Sequence, residues 1–120
     1  MSDVSFVLLF VENVARSAEF YARLLEKPVI ESSPTFAMLP AGPNLMLGLW
    51  RRDGVEPPAG APGGSEIALT FADDAAVEAA HARWKASDIR IAQKPTRMDF
   101  GFTFVALDPD GHRVRAFAPG

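Results

Sequence analysis

The chain has no cysteine, which excludes disulfides, thiolate chemistry and cysteine-ligated metals together. It also lacks an excess of positive charge. Twelve Lys and Arg against fifteen Asp and Glu leave a formal net charge of −3, and no basic stripe stands out to neutralise phosphates, so nucleic acid is not an expected partner. Long apolar runs are missing as well. The N-terminal MSDVSFVLLFVEN holds an apolar run far too short to span a bilayer, and no basic residue precedes it, so neither a membrane partner nor a leader is expected. A cytoplasmic location follows as the simplest expectation.

What is present suits a packed domain. At 120 residues, 48% of them hydrophobic, the chain is one domain's worth with an ordinary core. Phe6 to Val11 (FVLLFV) is a continuous apolar run of strand length. Val14 to Glu26 then keeps helical spacing through Val14, Ala18, Tyr21, Leu24 and Leu25, with Asn13 as N-cap and Pro28 closing the helix. Extended pieces are predicted at Val29 to Ser32, Thr35 to Leu39 and Asn44 to Trp50, with AGP at Ala41 to Pro43 as a hairpin turn. The proline- and glycine-rich stretch over residues 52–65 holds little that packs and reads as a linker.

The order then repeats. Glu66 to Phe71 (EIALTF) reads as a strand, and Asp74 to Ser87 as an alanine-rich helix with Val77, Ala80, His81 and Trp84 on one side, capped by Asp73 or Asp74. Further extended pieces are predicted near Ile89 to Ile91, Phe100 to Leu107 and His112 to Phe117. A duplicated βαβββ module is the economical reading: an α+β chain of residues 1–120, with module one at about 4–51 and module two at about 66–118. One helix covers one face of each sheet, so the other face remains for a cleft curved by sheet twist.

The closing segment DPDGHRVRAF sharpens this expectation. DPDG suits a type I turn with a glycine bulge, which sets Asp108 against His112 and Val105 against Arg115. Residues two apart share a strand face, so Thr103, Val105, Leu107, Arg113, Arg115 and Phe117 should line the cleft. Phe102, Phe104, Val114 and Ala116 should pack on the helix. A one-residue slip would exchange the two sets.

FVLLFVENVARSAEFYARLL and FTFVALDPDGHRVRAF together resemble the opening and closing segments of the glyoxalase/bleomycin-resistance/extradiol-dioxygenase proteins, the vicinal oxygen chelate superfamily. The resemblance runs from Phe6 to Phe117 and implies two βαβββ modules whose sheets form an incomplete barrel around a cleft. In metalloenzymes of this superfamily, His, Glu or Gln on strands of both modules hold a divalent metal. The matching positions here are Phe6, Gly48, Glu66 and Arg115. Of these only Glu66 is a metal ligand, and Arg115 would repel a cation, so neither a metal nor another cofactor is expected. The resemblance aims Glu66 and Arg115 into the cleft, where they either pair or leave Arg115 to solvent.

Strand parity adds Phe10, Met46 and Trp50 to Phe6 and Phe117 as an aromatic lining suited to a flat, apolar or aromatic small molecule. Two classes of function remain open. One is a metal-free binding protein that sequesters a toxic compound, similar to the antibiotic-binding, dimeric branch of the superfamily. The other is a lyase or dioxygenase, with displaced metal ligands or with Glu66 as base. An ion pair with Arg115 would lower the pKa of Glu66 and weaken it as a base. The ligand-contact residues expected are Phe6, Phe10, Met46, Gly48, Trp50, Glu66, Arg113, Arg115 and Phe117. An apolar open sheet face points to a homodimer, and the linker would also permit modules to swap between chains.

Overall fold

The apolar runs and helical stripes become two copies of one supersecondary unit in a computed structural model that describes residues 2–120. The first unit, up to Ala61, comprises β1 (Phe6–Val11), α1 (Val14–Leu25), β2 (Glu31–Ser32), β3 (Phe36–Gly42) and β4 (Leu45–Arg51). The second, from Pro62, comprises β5 (Glu66–Thr70), α2 (Asp74–Ala86), β6 (Arg90–Met98), β7 (Gly101–Leu107) and β8 (Arg113–Pro119). Each forms a four-stranded sheet, ordered β1-β4-β3-β2 and β5-β8-β7-β6. In each, the first strand runs parallel to the last and the other neighbours are antiparallel. The α+β class and the duplicated βαβββ order read from the sequence are therefore what the chain adopts.

Local chemistry explains the helix ends. The Asn13 side chain accepts from the Arg16 amide at 3.0 Å and Asp73 from the Ala76 amide at 2.8 Å, each satisfying a donor that the first turn leaves without a partner. Asp73, rather than Asp74, is the cap. α1 stops at Leu25, where Glu26 takes a left-handed conformation and Lys27 N–H bonds back to the Ala22 carbonyl. Pro28 lies beyond the stop and does not make it.

The cores follow strand parity. In the first unit, Leu39, Leu47, Leu49, Val11 and Ala37 lie buried with Val14, Ala18, Tyr21 and Leu24 of α1. In the second, Phe104, Ala106, Val114, Ala116 and Ala118 are buried with Val77, Ala80 and Trp84 of α2. The Trp84 and His81 rings stand edge-on to Phe104 at 5.1 and 5.2 Å. Each fully buried aliphatic or aromatic side chain contributes roughly 1.5–3 kcal/mol. These cores are the reason the opposite sheet faces hold one fixed register.

Three expectations need correction. The β3–β4 turn is Pro43–Asn44, not Ala41 to Pro43, because Ala41 is absorbed as an irregularity between Pro40 and Gly42. β6 runs through Met98 instead of ending near Ile91. It contains Pro95, which an edge strand tolerates because one side makes no ladder bonds, and its pairing is irregular around Gln93. Finally, the expected linker opens with a 3-10 turn at Arg52–Gly54, and its Val55 is buried.

Gly101 opens β7 with φ +149°, and a Cβ there would stand 2.0 Å from the Ala118 carbonyl oxygen. Backbone cannot yield as a flexible side chain can. Gly101→Ala should therefore cost about 2–4 kcal/mol from strain and overlap, read as a lower urea midpoint. Gly54→Ala, with no atom within 4 Å of the new carbon, should stay within about 0.5 kcal/mol of the parent. Equal midpoints for the two variants would contradict this account of the β7 start.

Candidate functional site

The helix-free face of the second sheet gathers the charged candidates. Parallel pairing of β5 with β8 sets Glu66 opposite Arg113, Ala68 opposite Arg115 and Thr70 opposite Phe117, and paired residues share a face. Antiparallel pairing of β7 with β8 sets Val105 opposite Arg115 and Thr103 opposite Phe117. The DPDG turn produces that register. Gly111 N–H bonds to the Asp108 carbonyl at 3.0 Å, Gly111 has φ 93°, and Asp108 N–H bonds to the His112 carbonyl at 2.9 Å. This is the bulged turn expected from the sequence, so the arginines lie on the face away from α2.

Glu66 spans the two arginines. Arg115 Nε donates to Oε1 at 2.8 Å and Arg113 Nε to Oε2 at 3.3 Å. Arg115 Nη1 donates further to Gln93 Oε1 at 3.3 Å and to Thr103 Oγ1 at 3.2 Å. Thr103, fully buried, passes its own hydroxyl proton to the Ala116 carbonyl at 2.8 Å. The Arg115 side chain is accordingly only 15% exposed, against 43% for Arg113. Its hydrogen bond from Arg115 and the charges of both arginines outweigh partial burial and hold the Glu66 carboxyl below the usual glutamate range. Of the two outcomes expected for Arg115, pairing is the one adopted.

Aromatic rings border this cluster. The Phe100 ring centroid lies 5.7 Å from the Arg115 guanidinium carbon and 5.8 Å from the Phe117 ring, edge-on. Gln93 and Phe100 went unrecognised as site residues in the sequence. Gln93 falls in the part of β6 that the sequence hid, and Phe100 precedes its strand, where parity gives no signal. Parity places Thr103 on this face without assigning it a role.

The candidates of the first unit lie on that unit's own sheet. Phe6 pairs with Met46, Leu8 with Gly48 and Phe10 with Trp50, which puts all six on the face opposite the buried Leu47 and Leu49. Phe10 and Trp50 meet edge-on at 6.1 Å, and Phe6 and Leu8 are 44% and 42% exposed. Gly48 is different. It is buried, and a Cβ there would lie 2.5 Å from Leu8 Cδ2 and 3.1 Å from the Phe36 ring. Those side chains cover it, so its role is to admit them. Two hollows of the first unit, about 500 and 590 Å³, share Glu12 and Arg51 and are lined by none of the expected contact residues.

A divalent metal finds no set of donors here. Among the described residues no group of three or more His, Asp or Glu is arranged to hold one. Phe6 carries no donor, Gly48 carries no side chain, and both Glu66 oxygens are engaged by arginines. His81 packs on Phe104, and His112 N–H bonds to the Asp108 carboxylate in the turn. The residues at the implied ligand positions therefore do not fit a metal.

Comparison with known proteins gives this geometry a context. Residues 4–116 match the Glyoxalase/Bleomycin resistance protein/Dioxygenase superfamily. The phenazine antibiotic resistance protein EhpR of Enterobacter agglomerans is 32% identical over 111 residues, 90% of this chain and 85% of that protein. A protein of Agrobacterium tumefaciens solved by solution NMR is 43% identical, with a TM-score of 0.91 over 100% of this chain and 99% of that one. A glyoxalase/bleomycin resistance protein/dioxygenase family enzyme of Burkholderia phytofirmans has a TM-score of 0.86 over 99% of this chain and 100% of its own, at 19% identity. That last likeness speaks to fold alone.

The lowered pKa of Glu66 fixes a pH dependence. A carboxylate held below its unfolded value adds stability above that value, about 4.3, and loses it as pH falls through the folded value. The parent should therefore melt above Glu66→Gln at neutral pH, and the two should converge towards pH ~3. Melting curves across that range measure it, and a gap that persists unchanged in acid would remove the ion pair from the account.

Proposed function

Because the chain belongs to the glyoxalase/bleomycin resistance protein/dioxygenase superfamily, we propose that it is a metal-free, cytoplasmic binding protein that sequesters an aromatic antibiotic or another toxic aromatic compound. The observation that carries this reading is Arg115, locked by Glu66, Gln93 and Thr103 beside the exposed Phe100 ring. A fixed guanidinium next to an aromatic ring orients a planar ligand at little entropic cost. Similarity to a phenazine resistance protein supports the same class of ligand. The helix-free faces of both sheets are the proposed contact surfaces. Arg113, Arg115, Glu66 and Phe117 act on one, and Phe6, Phe10, Met46 and Trp50 on the other.

Lyase or dioxygenase chemistry draws less support. Glu66 is held as a carboxylate by two arginines, which makes it a weak base. No helix among the described residues is long and apolar enough to cross a membrane.

A thermal-shift screen of phenazines, other aromatic antibiotics and divalent cations, followed by calorimetry, tests the reading. An aromatic compound should raise the melting temperature and cations should not. A ligand held on the first unit's open face should lose roughly 0.5–1.5 kcal/mol beyond lost area in Trp50→Ala, and one held on the second unit's open face roughly 1.5–3 kcal/mol in Arg115→Ala. Unchanged affinity in both variants would defeat the assignment of these faces.

The protein is also proposed to be a homodimer. The exposed Phe6 and Leu8 beside Met46 form an apolar face on an edge strand, and two-fold pairing is the commonest cover for such a surface. Light scattering should give about twice the chain mass of 13.0 kDa. A monomer mass at micromolar concentration would rule the dimer out.

A further inference from the structure

We infer that the second sheet's open face selects an aromatic carboxylic acid, taken as its carboxylate by Arg113 and Arg115 with its ring against Phe100. This rests on the binding role proposed above and names the chemical class on which that role acts. The argument begins with which nitrogens Glu66 uses. It accepts one Nε from each arginine, and Arg115 Nη1 is spent on Gln93 and Thr103. Arg115 Nη2 and both terminal nitrogens of Arg113 donate to no other group among the described residues. Glu66 thus holds the two guanidiniums by their inner edges and leaves their outer N–H groups to a ligand.

Charge points the same way. Two guanidiniums against one carboxylate leave one net positive charge on this cluster, and a neutral ligand covering it would bury that charge without compensation. The planar fork of arginine matches a carboxylate through paired hydrogen bonds. The ring of such a ligand has a surface beside the clamp, since Phe100 is 44% exposed and held edge-on against Phe117. An inorganic anion would use the arginines and leave Phe100 uncovered. A neutral aromatic would cover Phe100 and leave the charge. An aromatic carboxylate satisfies both.

The test is calorimetric titration of phenazine-1-carboxylate and the neutral phenazine-1-carboxamide, with the same ring and nearly the same shape. Both are titrated into the parent protein and into Arg113→Gln at neutral pH. The parent should bind the carboxylate at least about tenfold more tightly than the carboxamide. Arg113→Gln should bring that ratio close to one by weakening the carboxylate alone. Its melting temperature should be little changed, because Arg113 is half-exposed and its Glu66 contact is the longer of the two. Equal affinity of the parent for both compounds would overturn the inference and leave the binding role standing. A carboxylate preference that survives Arg113→Gln unchanged would overturn the clamp. Binding of other aromatics but neither of these two would also overturn the inference, whereas no binding to any aromatic compound would remove the role itself.

Discussion

Two arginines two residues apart on one strand face sit about 7 Å apart along the chain, and with nothing between them they would repel. The parallel pairing of β5 with β8 supplies the missing group, because it brings Glu66 opposite Arg113 and within 2.8 Å of Arg115 Nε. The remaining contacts depend on that bridge. With Nε fixed on Glu66, Arg115 Nη1 reaches across the sheet to Thr103 of the adjacent β7 and to Gln93 of β6 beyond it. Thr103 is in turn anchored to the Ala116 carbonyl. Residues from all four strands of this sheet thus hold one guanidinium in one orientation, and a pre-oriented donor loses less freedom when a ligand arrives.

The two units share one topology and use its open face in opposite ways. β1 and β4 present Phe6, Leu8, Phe10, Met46 and Trp50, with no charged side chain among them. β5 and β8 present Glu66, Arg113 and Arg115 at corresponding strand positions. The helix-facing residues do not differ so sharply. Leucine, valine and alanine dominate the first core and valine and alanine the second, with Tyr21 in one and Trp84 and Phe104 in the other. Packing therefore imposes one constraint on the helix side of both units, while the solvent side of each sheet is free to differ.

Legibility in the sequence followed the strength of local signals. The caps Asn13 and Asp73, the helical stripes and the DPDG turn each carry a mechanism that acts within a few residues, and the fold and the β7–β8 register were readable from them. Once that register was known, parity placed Arg113, Arg115 and Thr103 on one face. The losses occurred where the signal is tertiary. AQKPTRM, residues 92–98, alternates poorly and contains Pro95, so nothing local marks it as the outer part of β6, and Gln93 was lost with it. Gly48 reads as a contact position because the resemblance matches it to a ligand position, and such a match reports a face but not what lies above it. Leu8 and Phe36 are what lie above it.

The cluster also limits what chemistry this face can perform. A divalent cation and Arg115 would compete for the same Glu66 oxygen, and the guanidinium is covalently present at every moment whereas a cation must bind from solution. Truncating Arg115 alone would not free the Glu66 carboxylate for a metal, because Arg113 would still hold Oε2. The same two arginines deprive Glu66 of the raised pKa that a general base needs. Both routes to catalysis are thus opposed by one ion-paired triad. What the triad leaves available is a set of outward N–H donors beside an exposed ring.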